Sequence, residues 1–167
     1  MKLGHEEHHE KASGPVCVFV VTVSDTRTEE NDTSGALIRE KLTAAGHSVT
    51  GYNIVRDEPI MIRKHLLAPP LGTQAIIING GTGISKRDNT FDVVEALLDK
   101  KLPGFGELFR SLSYAEIGPA AMMSRATAGV IRGIPVMSVP GSSGAAALAM
   151  DKIIIPELAH FVWEANR

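Results

Sequence analysis

The sequence predicts an α/β fold, a three-layer α/β/α sandwich around a mostly parallel, mixed sheet. Two runs, VCVFVVTV at residues 16–23 and AIII at residues 75–78, are continuously apolar and rich in β-branched side chains, the pattern of strands covered on both faces. Stretches with helical periodicity alternate with the strands. The loops rich in glycine, hydroxyls and acids each follow a strand, so they gather at the carboxyl edge of the sheet, where open α/β sheets bind ligands.

The elements follow in order. Residues 16–23 form a central strand that ends at Ser24, Asp25, Thr26 and Arg27, small hydroxyls and an acid that also suit an ordinary turn. The acidic loop at residues 29–32 leads to Thr33 or Ser34 as helix cap; Ile38, Leu42 and Ala45 mark the inner face, and Gly46 ends the helix. Residues 48–55 alternate loosely and form the next strand. Asp57 reads best as the cap of the helix that follows, with Pro59 in its first turn and an end near Leu67. After the strand at residues 75–78 comes a helix from about Phe91 to Leu98, whose N-terminus Asp88 suits. Phe105, Leu108, Phe109 and Leu112 have helical spacing and read as core, and Gly118-Pro119 breaks that run. Residues 127–131 and 135–139 form a hairpin that gives the sheet an antiparallel component. An alanine-rich helix reaches about Ile155, and Pro156 opens a final helix.

Length and composition restrict the function. A chain of 167 residues makes one domain, here residues 16–167, with residues 1–15 as a polar tail expected to be disordered. That tail spells His5-Glu6-Glu7-His8-His9, the H-E-x-x-H pattern, but offers no apolar face to dock a helix and no further ligand; zinc hydrolysis is rejected and adventitious metal binding left open. A net charge of −2 gives no footprint for nucleic acid or an anionic membrane surface. The single cysteine, Cys17, reads as core filler, and the absence of any leader or transmembrane-length run points to the cytoplasm.

The site candidates centre on Asn79-Gly80-Gly81-Thr82-Gly83, where a buried strand ends in bare backbone, with Ser85, Arg87 and Asp88 close behind. This suits a phosphorylated ligand and is equally an ordinary glycine-rich turn. Neither the P-loop nor the dinucleotide fingerprint is present. A second cradle, Gly141-Ser142-Ser143-Gly144, precedes a helix and suits an anion, a serine cap, or both. Asp25, Asp57 and Asp88 beside two phosphate cradles would repel the ligand unless Mg²⁺ lies between them, so the residues favour phosphoryl or nucleotidyl transfer by positioning and charge neutralisation.

Taken together, VSDTR (residues 23–27), D-x-SG (32–35), IVRDE (54–58), NGGTG-x-x-x-RD-x-T (79–90), PGFGELFR (103–110), SRA (124–126) and PGS (140–142) resemble the molybdenum cofactor biosynthesis protein B family and its molybdopterin adenylyltransferase relatives. The resemblance implies a molybdopterin-binding fold, a cytoplasmic homotrimer or homohexamer, contacts with other proteins of the pathway, and MgATP-dependent adenylylation of molybdopterin with release of pyrophosphate. By motif, Asp57 and Asp88 would be catalytic and hold Mg²⁺ transiently. Gly141 and Ser142 would take the pterin's terminal phosphate. Gly80, Gly81, Thr82 and Gly83, with Ser85 and Arg87, would line the nucleotide and pterin site, with Ser24 and Asp25 as weaker candidates. Phe91, where the adenylyltransferases often carry proline, places the chain nearer the B branch. The alternatives are a non-catalytic pterin-binding or scaffold protein and an unrelated phosphotransferase using the same cradles.

Overall fold

The structure is a computed structural model that describes residues 14–167. The expectations for the histidine-rich segment lie outside the described residues. Six strands form one sheet in the order β2-β1-β3-β6-β5-β4. They are β1 (Cys17–Val23), β2 (Ser48–Val55), β3 (Ala75–Asn79), β4 (Lys100–Lys101), β5 (Thr127–Ile131) and β6 (Ile134–Val139). β1 runs parallel to β2 and β3, and β3 parallel to β6, whereas β5 is antiparallel to both β6 and β4. The mixed, mostly parallel sheet is therefore as expected. The chain leaves β1 to one side to make β2 and crosses back to make β3 on the other, which opens a crevice above the carboxyl ends of β1 and β3.

Alternation along β1 divides the core into two layers. Val18 and Val20 pack with Ile38 and Leu42 of α1 (Thr33–Ala44), with Phe105 and Phe109 of α4 (Pro103–Ile117), and with the chain from α5 (Ser143–Ala149) to α6 (Ile155–Asn166). Phe19, Val21 and Val23 face the opposite layer, Ile62 and Leu66 of α2 (Pro59–Leu67) and Val94 of α3 (Thr90–Leu97). Each such buried side chain contributes roughly 1.5–3 kcal/mol.

Several local expectations are corrected. The cap of α1 is Asp32, whose Oδ1 accepts from the Gly35 amide at 3.0 Å, and not Thr33 or Ser34; a carboxylate one residue earlier reaches the free amides. Glu58 flanks α2 without a side-chain cap bond, because the Asp57 carboxylate turns to another element. α3 begins at Thr90, and Leu98 is no longer helical. The two-residue edge strand β4 gave no signal, since Lys100 and Lys101 carry no apolar alternation. Phe105 and Phe109 are buried as expected, but Leu108 is exposed, and a 3₁₀ turn at Gly118–Met123 follows. The last two helices are joined through a π-helical turn, Met150–Ile154, so Pro156 lies in the first turn of α6 without interrupting the chain's helical path. Cys17 is half-buried rather than core filler, because it starts β1 at the rim of the sheet.

Candidate functional site

Gly80 and Gly81 shape the end of β3. Their φ angles, 101° and 62°, are left-handed, and a Cβ on either would collide: on Gly80 with the Val23 carbonyl, on Gly81 with Thr90 Oγ1 and Asp57 Oδ2. Only bare backbone passes between the two strand ends. The result is a cleft of about 370 Å³ at the carboxyl ends of β1, β3 and β6, lined by Thr22, Ser24, Arg27, Ser34, Asn79 to Gly83, Asp88, Met123, Ser124 and Gly141. The second cradle joins it directly, since a Cβ on Gly141 would lie 3.1 Å from the Gly80 Cα.

Of the carboxylates, Asp88 lines the cleft, while Asp57 and Asp25 lie just outside it. Asp57 is 8% exposed, and its Oδ1 accepts the Asn89 amide at 3.0 Å, while Asn89 Nδ2 donates to the Asp57 carbonyl at 3.1 Å. Asn89 thus ties Asp57 to the loop that carries Asp88, whose Oδ2 accepts the Ser85 amide at 2.8 Å. Burial pushes the Asp57 carboxyl above the usual carboxylate range; the Asn89 hydrogen bonds oppose this, and the charges of Asp88 and Asp25 reinforce it. Like charges crowded beside the cleft are what a divalent cation relieves. Among the described residues Asp88 Oδ1 accepts no hydrogen bond, and Asp57 Oδ2 faces the turn at Gly81, 2.5 Å from where a Cβ would lie; two such carboxylates are the number that Mg²⁺ takes beside phosphate oxygens and water. Among the described residues no group of three or more His, Cys, Asp or Glu could hold a metal by protein ligands alone.

The remaining candidates divide into two groups. Ser24, Gly80, Gly81, Thr82, Gly83, Asp88 and Gly141 line the cleft. Asp25, Asp57, Ser85, Arg87 and Ser142 lie around it. Asp25 accepts the Asp57 amide at 3.2 Å and pairs with the Arg87 guanidinium. The Ser85 hydroxyl accepts the Arg87 amide at 3.3 Å, and the Ser142 hydroxyl accepts the Ala145 amide at 3.2 Å as the cap of α5. Of the two serines offered as caps, it is therefore Ser142; Ser143 instead bonds Thr33 at 2.8 Å.

Thr22, Arg27, Ser34, Asn79 and Ser124 also line the cleft; none stood out as a ligand-binding side chain, Ser34 reading as a helix cap and Asn79 as the end of a strand. The available signal was a polar side chain closing an apolar strand, as Asn79 does. Arg125 holds the loop from behind, donating to the carbonyls of Gly83 and Asp88 at 2.9 Å each while its guanidinium lies 4.7 Å from the Phe91 ring centroid.

The family described as a probable molybdopterin binding domain matches residues 19–160. Molybdenum cofactor biosynthesis protein B of Bacillus subtilis (strain 168) is 53% identical over 165 residues, 97% of each chain. A crystal structure of a molybdenum cofactor biosynthesis protein B superposes with a TM-score of 0.89 at 52% identity, over 92% of this chain and 98% of the other. The tungsten cofactor synthesizing protein MoaB from Pyrococcus furiosus gives 0.83 at 38% identity, over 93% and 99%.

Proposed function

The chain belongs to the molybdenum cofactor biosynthesis protein B family, and from that membership we propose that it binds molybdopterin in this cleft and adenylylates it with MgATP, releasing pyrophosphate. The observation that carries the reading is the pairing of Asp57 with the Asp88 loop through Asn89, beside the uncovered backbone of Gly80 and Gly81. An oxygen of the pterin's terminal phosphate attacks the α-phosphorus of ATP, the bond from that phosphorus to the bridging oxygen breaks, and pyrophosphate departs. Asp57 and Asp88 would hold Mg²⁺, which when bound would supply charge neutralisation for the phosphates. The chain's own work is to place the two substrates and keep them in line. The bare turn from Gly81 to Gly83 and the adjoining Gly141-Ser142 turn supply amides for phosphate oxygens, the Gly80 amide being spent on the Val139 carbonyl at 3.0 Å, and Arg87 exchanges Asp25 for the nucleotide.

We propose also that the chain works as a homotrimer or homohexamer in the cytoplasm. Support comes from an apolar groove of about 480 Å³ that includes Leu102, Phe105, Leu108, Met137, Ile153 and Phe161, with Leu102 and Leu108 exposed. No helix among the described residues is long and apolar enough to cross a membrane. Contacts with other proteins of the pathway complete the proposal.

A second reading, a pterin-binding or scaffold protein without catalysis, is favoured by one observation: Asp57 and Asp88 each already accept a backbone amide within the loop system, a structural role. Incubation of the pure protein with molybdopterin and MgATP separates the two. Stoichiometric pyrophosphate release is expected, with Asp57→Asn and Asp88→Asn each losing at least about 100-fold in turnover, the scale of a lost electrostatic group, while pterin affinity stays within a few-fold. Pterin binding without pyrophosphate would establish the second reading instead.

A further inference from the structure

The loop from Gly83 to Asp88 carries two groups on which the proposed chemistry depends, Arg87 and Asp88, yet its middle sends no side chain into the core. Ile84, Ser85, Lys86 and Arg87 are all exposed, Ile84 at 71%. Loops built this way open at little cost. The Asp88 amide donates to the Ser85 carbonyl at 3.1 Å and the Ser85 amide to Asp88 Oδ2 at 2.8 Å, bonds that shape the loop without attaching it to anything else. The ion pair of Arg87 with Asp25 is largely exposed, and in the proposed reaction it is given up to the nucleotide.

Attachment comes from two sides. Asn89 ties the end of the loop to Asp57. From behind, one guanidinium spans both ends of the loop: Arg125 Nε donates to the Gly83 carbonyl and Nη2 to the Asp88 carbonyl, each at 2.9 Å. Nη1 faces Asp92 of α3, 3.1 and 3.0 Å from the two carboxylate oxygens, and the guanidinium carbon lies 4.7 Å from the centroid of the Phe91 ring. The backbone beneath is held as well. The Arg125 amide donates to the Thr82 carbonyl at 3.2 Å, and Arg110 of α4 donates to the Ser124 carbonyl at 3.3 Å. Arg125 lines not the cleft but a separate hollow of about 340 Å³, shared with Phe91, Glu95 and Arg110. Its planar fork meets two carbonyls and a carboxylate at once, whereas a lysine ammonium keeps the charge beside Asp92 but gathers its three donors at one point.

We infer that Arg125 is a positioning residue: gripping the carbonyls of Gly83 and Asp88, it holds the Asp88 carboxylate in register with Asp57, so that the pair takes a divalent cation together with a ligand's phosphates. The inference rests on reading Asp57 and Asp88 as the cation-holding pair. Two consequences separate this role from general support of the fold. A loosened loop weakens the help that a cation gives to phosphate binding, while whatever the glycine turns and Arg87 contribute is present with and without the cation and cancels in the ratio. Once the Asp88 charge is gone, Arg125 has nothing left to position, so the two losses do not add.

The test is calorimetric titration of the whole protein with inorganic pyrophosphate, with and without saturating Mn²⁺, the bound ion being counted by electron paramagnetic resonance. Circular dichroism checks that each variant is folded at the temperature used. Wild type is expected to bind pyrophosphate at least about 10-fold more tightly with Mn²⁺, and Asp88→Asn to lose most of that gain. In Arg125→Lys the gain should fall by about 5-fold or more, the scale of one or two lost hydrogen bonds. The double variant should bind Mn²⁺-pyrophosphate within about twofold of Asp88→Asn alone. A gain in Arg125→Lys equal to that of wild type, or losses that add in the double variant, overturns the inference. If Arg125→Lys does not fold, Arg125→Gln decides by the same ratios, and failure of both to fold overturns the positioning role in favour of a structural one. A wild type without any gain from Mn²⁺ removes the cation-holding pair itself and this inference with it, whereas a wild-type gain that Arg125→Lys retains removes the inference alone.

Discussion

At Asp57 the protein keeps a carboxylate in surroundings that disfavour its charge, and the sign of the effect is testable. Its folded value is raised above the unfolded one, so folding favours the protonated form; stability is lost as pH rises from the unfolded value through the folded one, and the loss is complete at neutral pH. Asp57→Asn keeps an oxygen for the Asn89 amide and removes the charge. Its thermal midpoint is therefore expected to lie above wild type at neutral pH, with the difference shrinking as pH falls toward about 4. A midpoint below wild type at neutral pH would mean that the Asn89 bonds, and not the charge, dominate the position. The same variant is the one expected to lose adenylylation, so stability and activity should move in opposite directions. From the sequence alone Asp57 read best as a helix cap, because Asp-x-Pro at a helix start is the commoner arrangement. The partner that takes the carboxylate, Asn89, is 32 residues away, a distance that no local pattern reports.

Among the elements, the β5–β6 hairpin turns on Arg132 and Gly133, with φ of 50° and 82°. Two consecutive left-handed residues suit the turn that matches strand twist, and arginine is a poor occupant of the first. Arg132→Asn is expected to stabilise the protein by about 0.5–1 kcal/mol, measured by urea unfolding, since the bond from the Arg132 amide to Asp99 Oδ2 uses backbone and survives. No gain would mean that the long side chain contributes contacts of its own. Elements of this kind were legible beforehand wherever their signal was local: β1 and β3 follow from apolar runs, β2 from loose alternation, and the hairpin from two runs joined by a short connection, although β6 starts at Ile134, one residue earlier than expected. The edge strand β4 was not, because Lys100 and Lys101 pair with Val130 and Gly129 only after α4 and the 3₁₀ turn bring the chain back. Nor was the π-helical turn at Met150–Ile154, where tertiary packing of Met150, Ile153 and Ile154 sets the backbone.

Over the whole molecule, the two layers differ in what they leave uncovered. The layer of α4 and α6 carries the apolar groove, and Leu108 on its rim is 48% exposed. The proposed oligomer predicts that Leu108→Glu shifts the mass in solution, by light scattering, from trimer or hexamer toward monomer while the far-ultraviolet circular dichroism is retained. A wild-type mass of one chain at micromolar concentration would remove the oligomer from the proposal. The cleft, by contrast, was legible only as an inventory. The glycines, Asp57, Asp88 and Gly141 stood out by type, but their meeting depends on the strand order β1-β3-β6.

That strand order also sets when the protein becomes complete during synthesis. β3 is flanked by β1, made early, and by β6, in which Val136 is the partner of Ile76. Until the hairpin has left the ribosome, the nascent chain holds a half-sheet whose inner strand exposes a row of unpaired amides and isoleucines, the kind of edge that chaperones cover. Gly141 emerges only after β6, so the turn nearest the C-terminus is also the last part of the cleft to be translated.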